Sequence, residues 1–180
     1  GTLSYIFNSF GPGVRFVDVV KEAKAKGFTE PDPRDDLSGA DVARKILILA
    51  REVGVPLESA DVRVAQLLPA NCLAAPTVDD FFEELIISDG YFAKLQSDAD
   101  ANGEKLRYIA TLENGKAVVE LRTVDASHPF YTLSGSDNII SFTTDRYKDR
   151  PLVIKGPGAG AEVTASGVFA DIMSISSYLG

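Results

Sequence analysis

Residues 105–124, KLRYIATLENGKAVVELRTV, carry the secondary-structure signal that decides the fold class. Two segments typical of strands, residues 105–112 and 116–124, flank the pair Asn114-Gly115. Asn-Gly is a preferred central pair of the type I′ turn, whose twist matches that of two antiparallel strands. The stretch therefore predicts a β-hairpin, so the fold must contain an antiparallel strand pair.

More strands and helices lie on both sides of the hairpin. One strand is predicted before it, at residues 61–68, and two after it, at 138–144 and 151–155. Because the best strand pairing is a hairpin, this order favours an α+β fold, with a mixed or antiparallel sheet covered by helices on one face. The repeated strand-helix-strand units of a Rossmann domain are missing from these 180 residues.

Capping residues and apolar spacing set the predicted helices. The first runs from Phe16 to about Lys26. A proline-rich loop from Glu30 to Leu37 precedes the second, for which Ser38 is the predicted N-cap. Its apolar stripe consists of Val42, Ile46, Leu49 and Ala50. The remaining helices are predicted to begin near Thr77, Tyr91 and Ala161.

Composition narrows the classes of function. The net charge is -8 and no basic stripe is present, which argues against binding to nucleic acid or to an anionic membrane. A single cysteine, Cys72, cannot form an internal disulfide, so we expect a cytoplasmic protein. One histidine, His128, and one cysteine are too few for a zinc site, and no metal is predicted. No signal peptide or membrane span is recognised, and the start at Gly1 suggests an internal cut.

The stretch EPDPRDDLSGADVARK, from Glu30 to Lys45, concentrates charge beside two prolines. Crowded carboxylates are usually relieved by a cation or by a cationic ligand. Asp41 and Lys45 are four residues apart, so they share one face of the predicted helix. An acidic loop before a helix is, however, often a solvated cap, and such a pair is usually a weak surface ion pair. Spacing alone favours this simpler interpretation.

A second candidate is the glycine-rich run GPGAG, from Gly156 to Gly160, which follows a predicted strand and opens a helix. Backbone amides at such a start attract anions, and glycine permits close approach. The run is not the G-x-G-x-x-G fingerprint, so a tight turn explains it equally well.

The segment AKAKGFTEPDPRDDLSGADVARK, from Ala23 to Lys45, closely resembles the signature of homoserine dehydrogenases. The resemblance continues at Gly1–Tyr5, Ser127–Phe130, Gly135–Asn138 and Gly156–Gly160. The final residues, SSYLG, resemble the end of the bifunctional aspartokinase–homoserine dehydrogenases. These matches span nearly the whole chain, and the signature is too long to arise easily by chance.

The resemblance implies a reaction and a set of roles. The family interconverts L-aspartate 4-semialdehyde and L-homoserine with NADP or NAD, in threonine and methionine biosynthesis. By resemblance, Lys45 is the proton donor and Asp41 is its catalytic partner. Glu30 and Asp36 match the positions that hold the substrate's amino group, and Gly1 matches a glycine next to the substrate.

The same resemblance divides the chain and assigns the cofactor. Residues 1–155 would form the substrate-binding and dimerisation domain. Residues 156–180 would return to a nucleotide-binding domain outside these residues, with Gly160 as the cofactor contact. The fragment alone is therefore expected to be inactive, and a homodimer is expected, with strands in 105–124 and 138–144 pairing across a two-fold axis.

The one histidine and the one cysteine are both expected to be structural. A lone histidine before a proline, as in Ser127-His128-Pro129, is more often structural than catalytic. Cys72 is expected to be a small buried residue. The alternative function is a non-catalytic amino-acid-binding or oligomerisation module of the same fold, which would have no need of Lys45.

Overall fold

A computed structural model describes residues 1–158 and 160–179. Ala159 and Gly180, which belong to the predicted glycine-rich loop and C-terminal segment, lie outside the described residues. Over the described residues the helices are α1 Thr2–Ser9, α2 Phe16–Ala25, α3 Pro33–Leu37, α4 Ala40–Glu52, α5 Ala70–Ala74, α6 Val78–Ile87, α7 Asp89–Ala101 and α8 Ala161–Leu179. The strands are β1 Val62–Val64, β2 Lys105–Glu113, β3 Lys116–Val124, β4 Asn138–Phe142 and β5 Leu152–Gly156.

The predicted hairpin is confirmed. β2 pairs antiparallel with β3 along its whole length. Asn114 and Gly115 make the turn with φ angles of 51° and 74°. Positive φ at both central residues is the requirement of a type I′ turn, and asparagine and glycine tolerate it best.

β1 makes the main sheet mixed, as predicted. It pairs parallel with β3, so the strand order is β1-β3-β2. The strand predicted over residues 61–68 is too long, because the backbone leaves the sheet after Val64. Leu67 and Leu68 are buried in the main core instead, and the Gln66 side-chain amide donates to the Leu68 carbonyl at 2.8 Å.

The strand order limits which strands could make the predicted dimer contact. β3 lies between β1 and β2, so both of its edges already carry hydrogen bonds within this chain. It cannot add a strand from a second copy, because each strand has two edges. In this sheet β1 and β2 are the edge strands.

Helices cover one face of the mixed sheet. α1, α4 and α7 pack against β2, and α4 also packs against β3. Alternate strand residues therefore lie in the apolar clusters, namely Leu106, Tyr108, Ala110, Leu112, Ala117, Val119 and Leu121. On the other face, Thr111, Val118, Glu120 and Arg122 line a shallow, open surface. The predicted α+β fold is confirmed.

The main core lies between the helices and β2. Phe16 of α2 and Phe92 of α7 are fully buried and stack with ring centroids 3.9 Å apart. Phe81 and Leu85 of α6 are buried with them, and Thr77 forms the predicted cap of that helix in a capping box with Asp80. Burial of several large aromatic side chains contributes about 2 kcal/mol each from apolar area.

β4 and β5 form a separate antiparallel pair, with Asn138 opposite Gly156. The strand predicted at residues 138–144 ends at Phe142. The last helix, α8, matches the prediction closely in its limits. Its large apolar side chains are exposed, including Phe169 at 64% and Ile172 at 57%. Among the described residues, no helix combines the length and apolarity that crossing a membrane requires.

Candidate active site

The predicted loop between Glu30 and Leu37 is half helical. Pro33 opens α3, because its fixed φ suits the first position of a helix. The Asp32 carboxylate accepts from the backbone amide of Arg34 at 3.0 Å and thereby caps α3. Arg34 also donates from Nη2 to Asp32 Oδ2 at 2.6 Å and from Nη1 to the Ala75 carbonyl at 2.5 Å. The Asp32 carboxylate therefore has a structural role, and its hydrogen bonds to Arg34 lower its pKa.

The Asp36 side chain contacts the backbone of Glu30, the other residue predicted to bind the substrate's amino group. Asp36 Oδ2 accepts from the backbone amide of Glu30 at 2.8 Å. Asp36 is half-buried, while the Glu30 residue is exposed. Lys24 donates to the carbonyl of Pro31 and so ties the start of this segment to α2. A carboxylate held by one backbone amide keeps further lone pairs for a cationic ligand.

The turn from α3 into α4 differs from the prediction. The N-cap of α4 is Gly39 and not Ser38, with a φ of 76°. Ser38 Oγ accepts from the Ala40 amide at 3.2 Å and donates to the Asp35 carbonyl at 2.7 Å. Local spacing had favoured Ser38, because serine is a common cap.

Two features require glycine at position 39, namely its positive φ and the close approach of the Tyr108 side chain. A Cβ atom at this position would lie 2.1 Å from the hydroxyl oxygen of Tyr108 in β2. The Tyr108 hydroxyl is buried and has no hydrogen-bond partner among the described residues. Burial raises its pKa. The ring of Tyr108 therefore fixes the start of the helix that carries Asp41 and Lys45.

Asp41 and Lys45 form an ion pair on the outer side of α4. Lys45 Nζ lies 2.8 Å from Asp41 Oδ2, and the two side chains are 54% and 56% exposed. The opposite side of the helix is apolar, with Ile46 and Ala50 buried and Val42 half-buried. The ammonium of Lys45 is thus oriented by a carboxylate and remains accessible.

Gly1 lies within electrostatic range of this pair. The charges of Lys45, Asp41 and Asp36 all act on the nitrogen of Gly1. Thr2 Oγ1 donates to the Phe28 carbonyl at 2.6 Å, which fastens α1 to the segment before Glu30. The structure therefore gathers Gly1, Asp36, Asp41 and Lys45 into one region.

The glycine-rich loop adjoins the same region through Asn138. The nitrogen of Gly1 donates to Asn138 Oδ1 at 3.0 Å. A Cβ atom on Gly158 would lie 1.7 Å from Asn138 Nδ2. Gly160 itself has a φ of 131°, and its carbonyl accepts from Thr164 in the first turn of α8. Glycine at a helix start allows a ligand to approach the backbone closely.

Sequence reasoning missed three residues that shape this region. Two of them are Asn138 and Tyr108. Arg107 is the third, buried at 6% exposure and without a carboxylate partner in the described part of the chain. It donates instead to backbone carbonyls, among them those of Phe7 and Phe130 at 3.1 Å and 3.0 Å. Its position between the apolar residues Leu106 and Tyr108 of the hairpin was the available signal for it.

His128 and Cys72 occupy the structural roles expected of them. His128 Nδ1 accepts from the Phe130 amide at 3.1 Å, and burial, helped by Arg122, lowers its pKa. Cys72 is fully buried, and burial raises the pKa of its thiol. Among residues 1–158 and 160–179, no three His, Cys, Asp or Glu side chains gather as metal ligands would.

Comparison with known proteins identifies the family. A family model described as homoserine dehydrogenase matches residues 1–173. The chain belongs to the homoserine dehydrogenase family. The family resemblance seen in the sequence is thereby confirmed.

Individual relatives agree with this assignment. The chain is 56% identical over 182 residues to a bifunctional aspartokinase/homoserine dehydrogenase 2, chloroplastic, of Zea mays. It is 49% identical over 187 residues to a homoserine dehydrogenase of Schizosaccharomyces pombe. A crystal structure of Staphylococcus aureus homoserine dehydrogenase superposes on 99% of the chain with a TM-score of 0.74 and 26% identity.

The match covers the whole chain but only part of each relative. The alignment takes in 100% of this chain and 20% of the maize protein. For the S. pombe enzyme the shares are 99% and 50%, and the chain covers 41% of the S. aureus protein. These homoserine dehydrogenases therefore contain large regions that have no counterpart in the 180 residues.

Proposed function

We propose that this chain is the substrate-binding and catalytic region of a homoserine dehydrogenase. The complete enzyme would interconvert L-aspartate 4-semialdehyde and L-homoserine with a nicotinamide cofactor. The observation that carries the proposal is the accessible Asp41–Lys45 ion pair, with Nζ 2.8 Å from Oδ2, in the region that also contains Asp36 and Gly1.

Lys45 is the proton donor in this proposal. When the aldehyde is reduced, its oxygen gains negative charge and needs a proton. The ammonium of Lys45 supplies that proton to the oxygen, and in the opposite direction its amine accepts the hydroxyl proton. Asp41 holds the ammonium in place, since the two groups are hydrogen-bonding neighbours one helical turn apart.

Glu30 and Asp36 form the proposed binding site for the substrate's amino group. Carboxylates are natural partners for an ammonium because the hydrogen bonds are charge-assisted. Asp36 is positioned by the Glu30 amide, so the two carboxylates belong to one small segment. Gly1 would form the adjoining edge of the substrate pocket, where a side chain would occupy space.

The cofactor, NADP or NAD, would contact this chain at Gly160 and be held mainly by a nucleotide-binding domain outside it. The reduced nicotinamide supplies the hydride when it is bound. The exposed apolar side of α8 supports the division into residues 1–155 and 156–180, because Phe169 and Ile172 need a covering partner. We therefore expect the isolated chain to be inactive. The choice between the two cofactors and the cytoplasmic location remain predictions.

A homodimer is also part of the proposal. β2 is an edge strand, and β4 is paired with β5 on one side, so these strands offer free edges in the described part of the chain. Sheet edges often pair between copies. Light scattering of the complete enzyme would measure the assembly, and a monomeric mass at high concentration would contradict it.

Replacing Lys45 tests the function. In the complete enzyme, Lys45→Ala should lower kcat for homoserine oxidation by about 10²–10⁴-fold, the usual contribution of a general acid or base. Arg44→Ala is the matched control, because Arg44 is a neighbouring exposed cation on the same helix. Nicotinamide absorbance measures both rates.

The outcomes separate the candidate functions. Loss of turnover with Lys45→Ala and normal turnover with Arg44→Ala would support catalysis. Unchanged turnover in Lys45→Ala would remove the residue from its role. A wild-type enzyme that binds homoserine in calorimetric titration but shows no turnover would point to the non-catalytic amino-acid-binding module.

A further inference from the structure

One face of α1 is polar and is fastened to the segment that leads into β4. Asn8 Nδ2 donates to the Gly135 carbonyl at 2.8 Å, and Ser4 Oγ donates to the Asp137 carbonyl at 2.8 Å. Residues three and four apart lie on the same side of a helix, so Gly1 is the next position along this face. The rest of α1 is in the core, where Ile6 and Phe7 are buried. The helix and the segment therefore form one unit.

The last contact of this face involves the side chain of Asn138. Its Oδ1 accepts from the nitrogen of Gly1 at 3.0 Å. Its Nδ2 points at the glycine-rich loop, where a Cβ atom on Gly158 would approach it to 1.7 Å and would approach Cγ to 2.7 Å. The two ends of one carboxamide thus touch the two regions that the proposed function assigns to substrate and cofactor.

The backbone around Asn138 holds this carboxamide in place. Asn138 is paired with Gly156 in the β4–β5 ladder, two residues before Gly158. Its neighbour Asp137 lies 3.8 Å from Lys155 across the same pair of strands. This pairing fixes the backbone of Asn138, and its short side chain reaches both Gly1 and Gly158 from there.

We propose that Asn138 is a positioning residue that sets the distance between the substrate region at Gly1 and the cofactor loop at Gly158. Hydride transfer requires that the two reacting carbons meet at a defined separation, so a spacer between their binding regions affects the reaction. The inference rests on the proposed function. It adds a role for the Gly135–Asn138 motif, which the chemistry of Lys45 leaves unused.

A double-mutant cycle tests the contact in the complete enzyme. Gly158→Ala places a methyl group against Nδ2 and should raise the KM for the nicotinamide cofactor roughly tenfold. The φ of Gly158 is outside the left-handed region, so the methyl group alone is responsible. Asn138→Ala should raise the KM for homoserine and for the cofactor by similar factors, because both neighbours lose their support.

The combination of the two changes is decisive. In the Asn138→Ala background the space next to Gly158 is open, so adding Gly158→Ala should raise the cofactor KM by less than about twofold further. Multiplication of the two single effects would overturn the proposal, since it would mean that the residues act independently. Unchanged KM and kcat values in both single variants would also overturn it.

Controls separate this result from general loss of structure and from failure of the proposed function. Gly90→Ala is the matched substitution, because Gly90 is helical and exposed with open space around it, and it should leave both KM values unchanged. If Asn138→Ala does not fold, Asn138→Ser replaces it in the cycle, since its hydroxyl is shorter and leaves Gly158 clear. An inactive wild-type enzyme would refute the dehydrogenase function itself, whereas an active one with independent effects refutes only the role of Asn138.

Discussion

Two ion pairs lie within one short stretch of this chain and have opposite surroundings. In Asp32–Arg34 the arginine and aspartate side chains are 19% and 30% exposed. In Asp41–Lys45 the lysine and aspartate side chains are 54% and 56% exposed. Arg34 of the first pair makes further contacts within the fold. The second pair is held mainly by the ion pair between its own two side chains. The same kind of ion pair therefore joins parts of the fold in one place and is exposed to solvent in the other.

The difference comes from what each pair packs against. Arg34 reaches the Ala75 carbonyl and lies 5.7 Å from the centre of the Phe81 ring. It thereby connects α3 to the segment before α6. Lys45 and Asp41 are on the outer side of α4, where an exposed i,i+4 pair contributes only a few tenths of a kcal/mol. Breaking each pair should consequently affect different properties.

Gly39 stands between the two pairs, and its replacement should have the largest effect on stability. Gly39→Ala combines a φ of 76° with a Cβ atom 2.1 Å from the Tyr108 hydroxyl. We expect Gly39→Ala to lower the free energy of unfolding by about 2–4 kcal/mol. Backbone strain at the positive φ and the clash with Tyr108 both contribute. Urea denaturation of the 180-residue chain measures it.

Gly54→Ala is the control for Gly39→Ala. Gly54 has a similar φ of 83° but open space at its Cβ position. It should lose only the backbone part, about 1 kcal/mol. Equal losses at the two glycines would show that the contact with Tyr108 does not constrain α4.

The second largest effect should distinguish the two cations directly. Arg34→Met should lower the free energy of unfolding by about 2 kcal/mol, because the Asp32 carboxylate and the Ala75 carbonyl both lose their charged hydrogen-bond donor. Lys45→Met should change it by less than about 0.5 kcal/mol. The same urea titration serves both variants, and a Lys45→Met loss as large as that of Arg34→Met would remove the distinction between the pairs.

A smaller effect of opposite sign is expected at Tyr108. Its hydroxyl is buried without a partner, so Tyr108→Phe removes a desolvated polar group and keeps the ring against Gly39. We expect a gain of about 1 kcal/mol in the free energy of unfolding. Thermal denaturation would detect it, and a clear loss would mean that the hydroxyl bonds to something that supports α4.

The smallest expected effect is on the stability of the chain at acidic pH. The Arg34 hydrogen bonds lower the pKa of Asp32 in the folded chain. Asp32 therefore contributes stability that is present above its unfolded pKa of about 3.9 and is lost as the pH falls through the lower folded value. Asp32→Asn should make the stability less dependent on pH below about 4, as measured by urea titrations at several acidic pH values. An unchanged pH profile would contradict the coupling to Arg34.

Local sequence was sufficient wherever neighbours in the chain decide the structure. The Asn114-Gly115 turn, the helix start at Thr77 and the limits of α8 were all predicted, because each depends on residues a few positions apart. The same kind of reasoning failed at Ser38. Serine is a good cap by type, but the helix begins at Gly39, where the approach of Tyr108 from a distant strand leaves no room for a side chain.

The candidate site also combines features that the sequence predicts with features that it does not. Its residue types and their spacing, from Glu30 to Lys45, are in the sequence, and the family follows from them and is confirmed by comparison. Their separate roles remain a prediction. What the sequence could not reveal was that Asp32 is already held by Arg34 while Asp41 and Lys45 stay accessible.

The hairpin, most of the helices and the charge pattern of the Glu30–Lys45 stretch could be predicted from the amino-acid order, because propensity, turn chemistry and helical spacing act over a few residues. The tertiary structure alone decided which charges are buried, that Tyr108 meets Gly39, and that Asn138 lies between Gly1 and Gly158. These contacts join residues far apart in the chain, and they form only when the sheet and helices pack around a shared core.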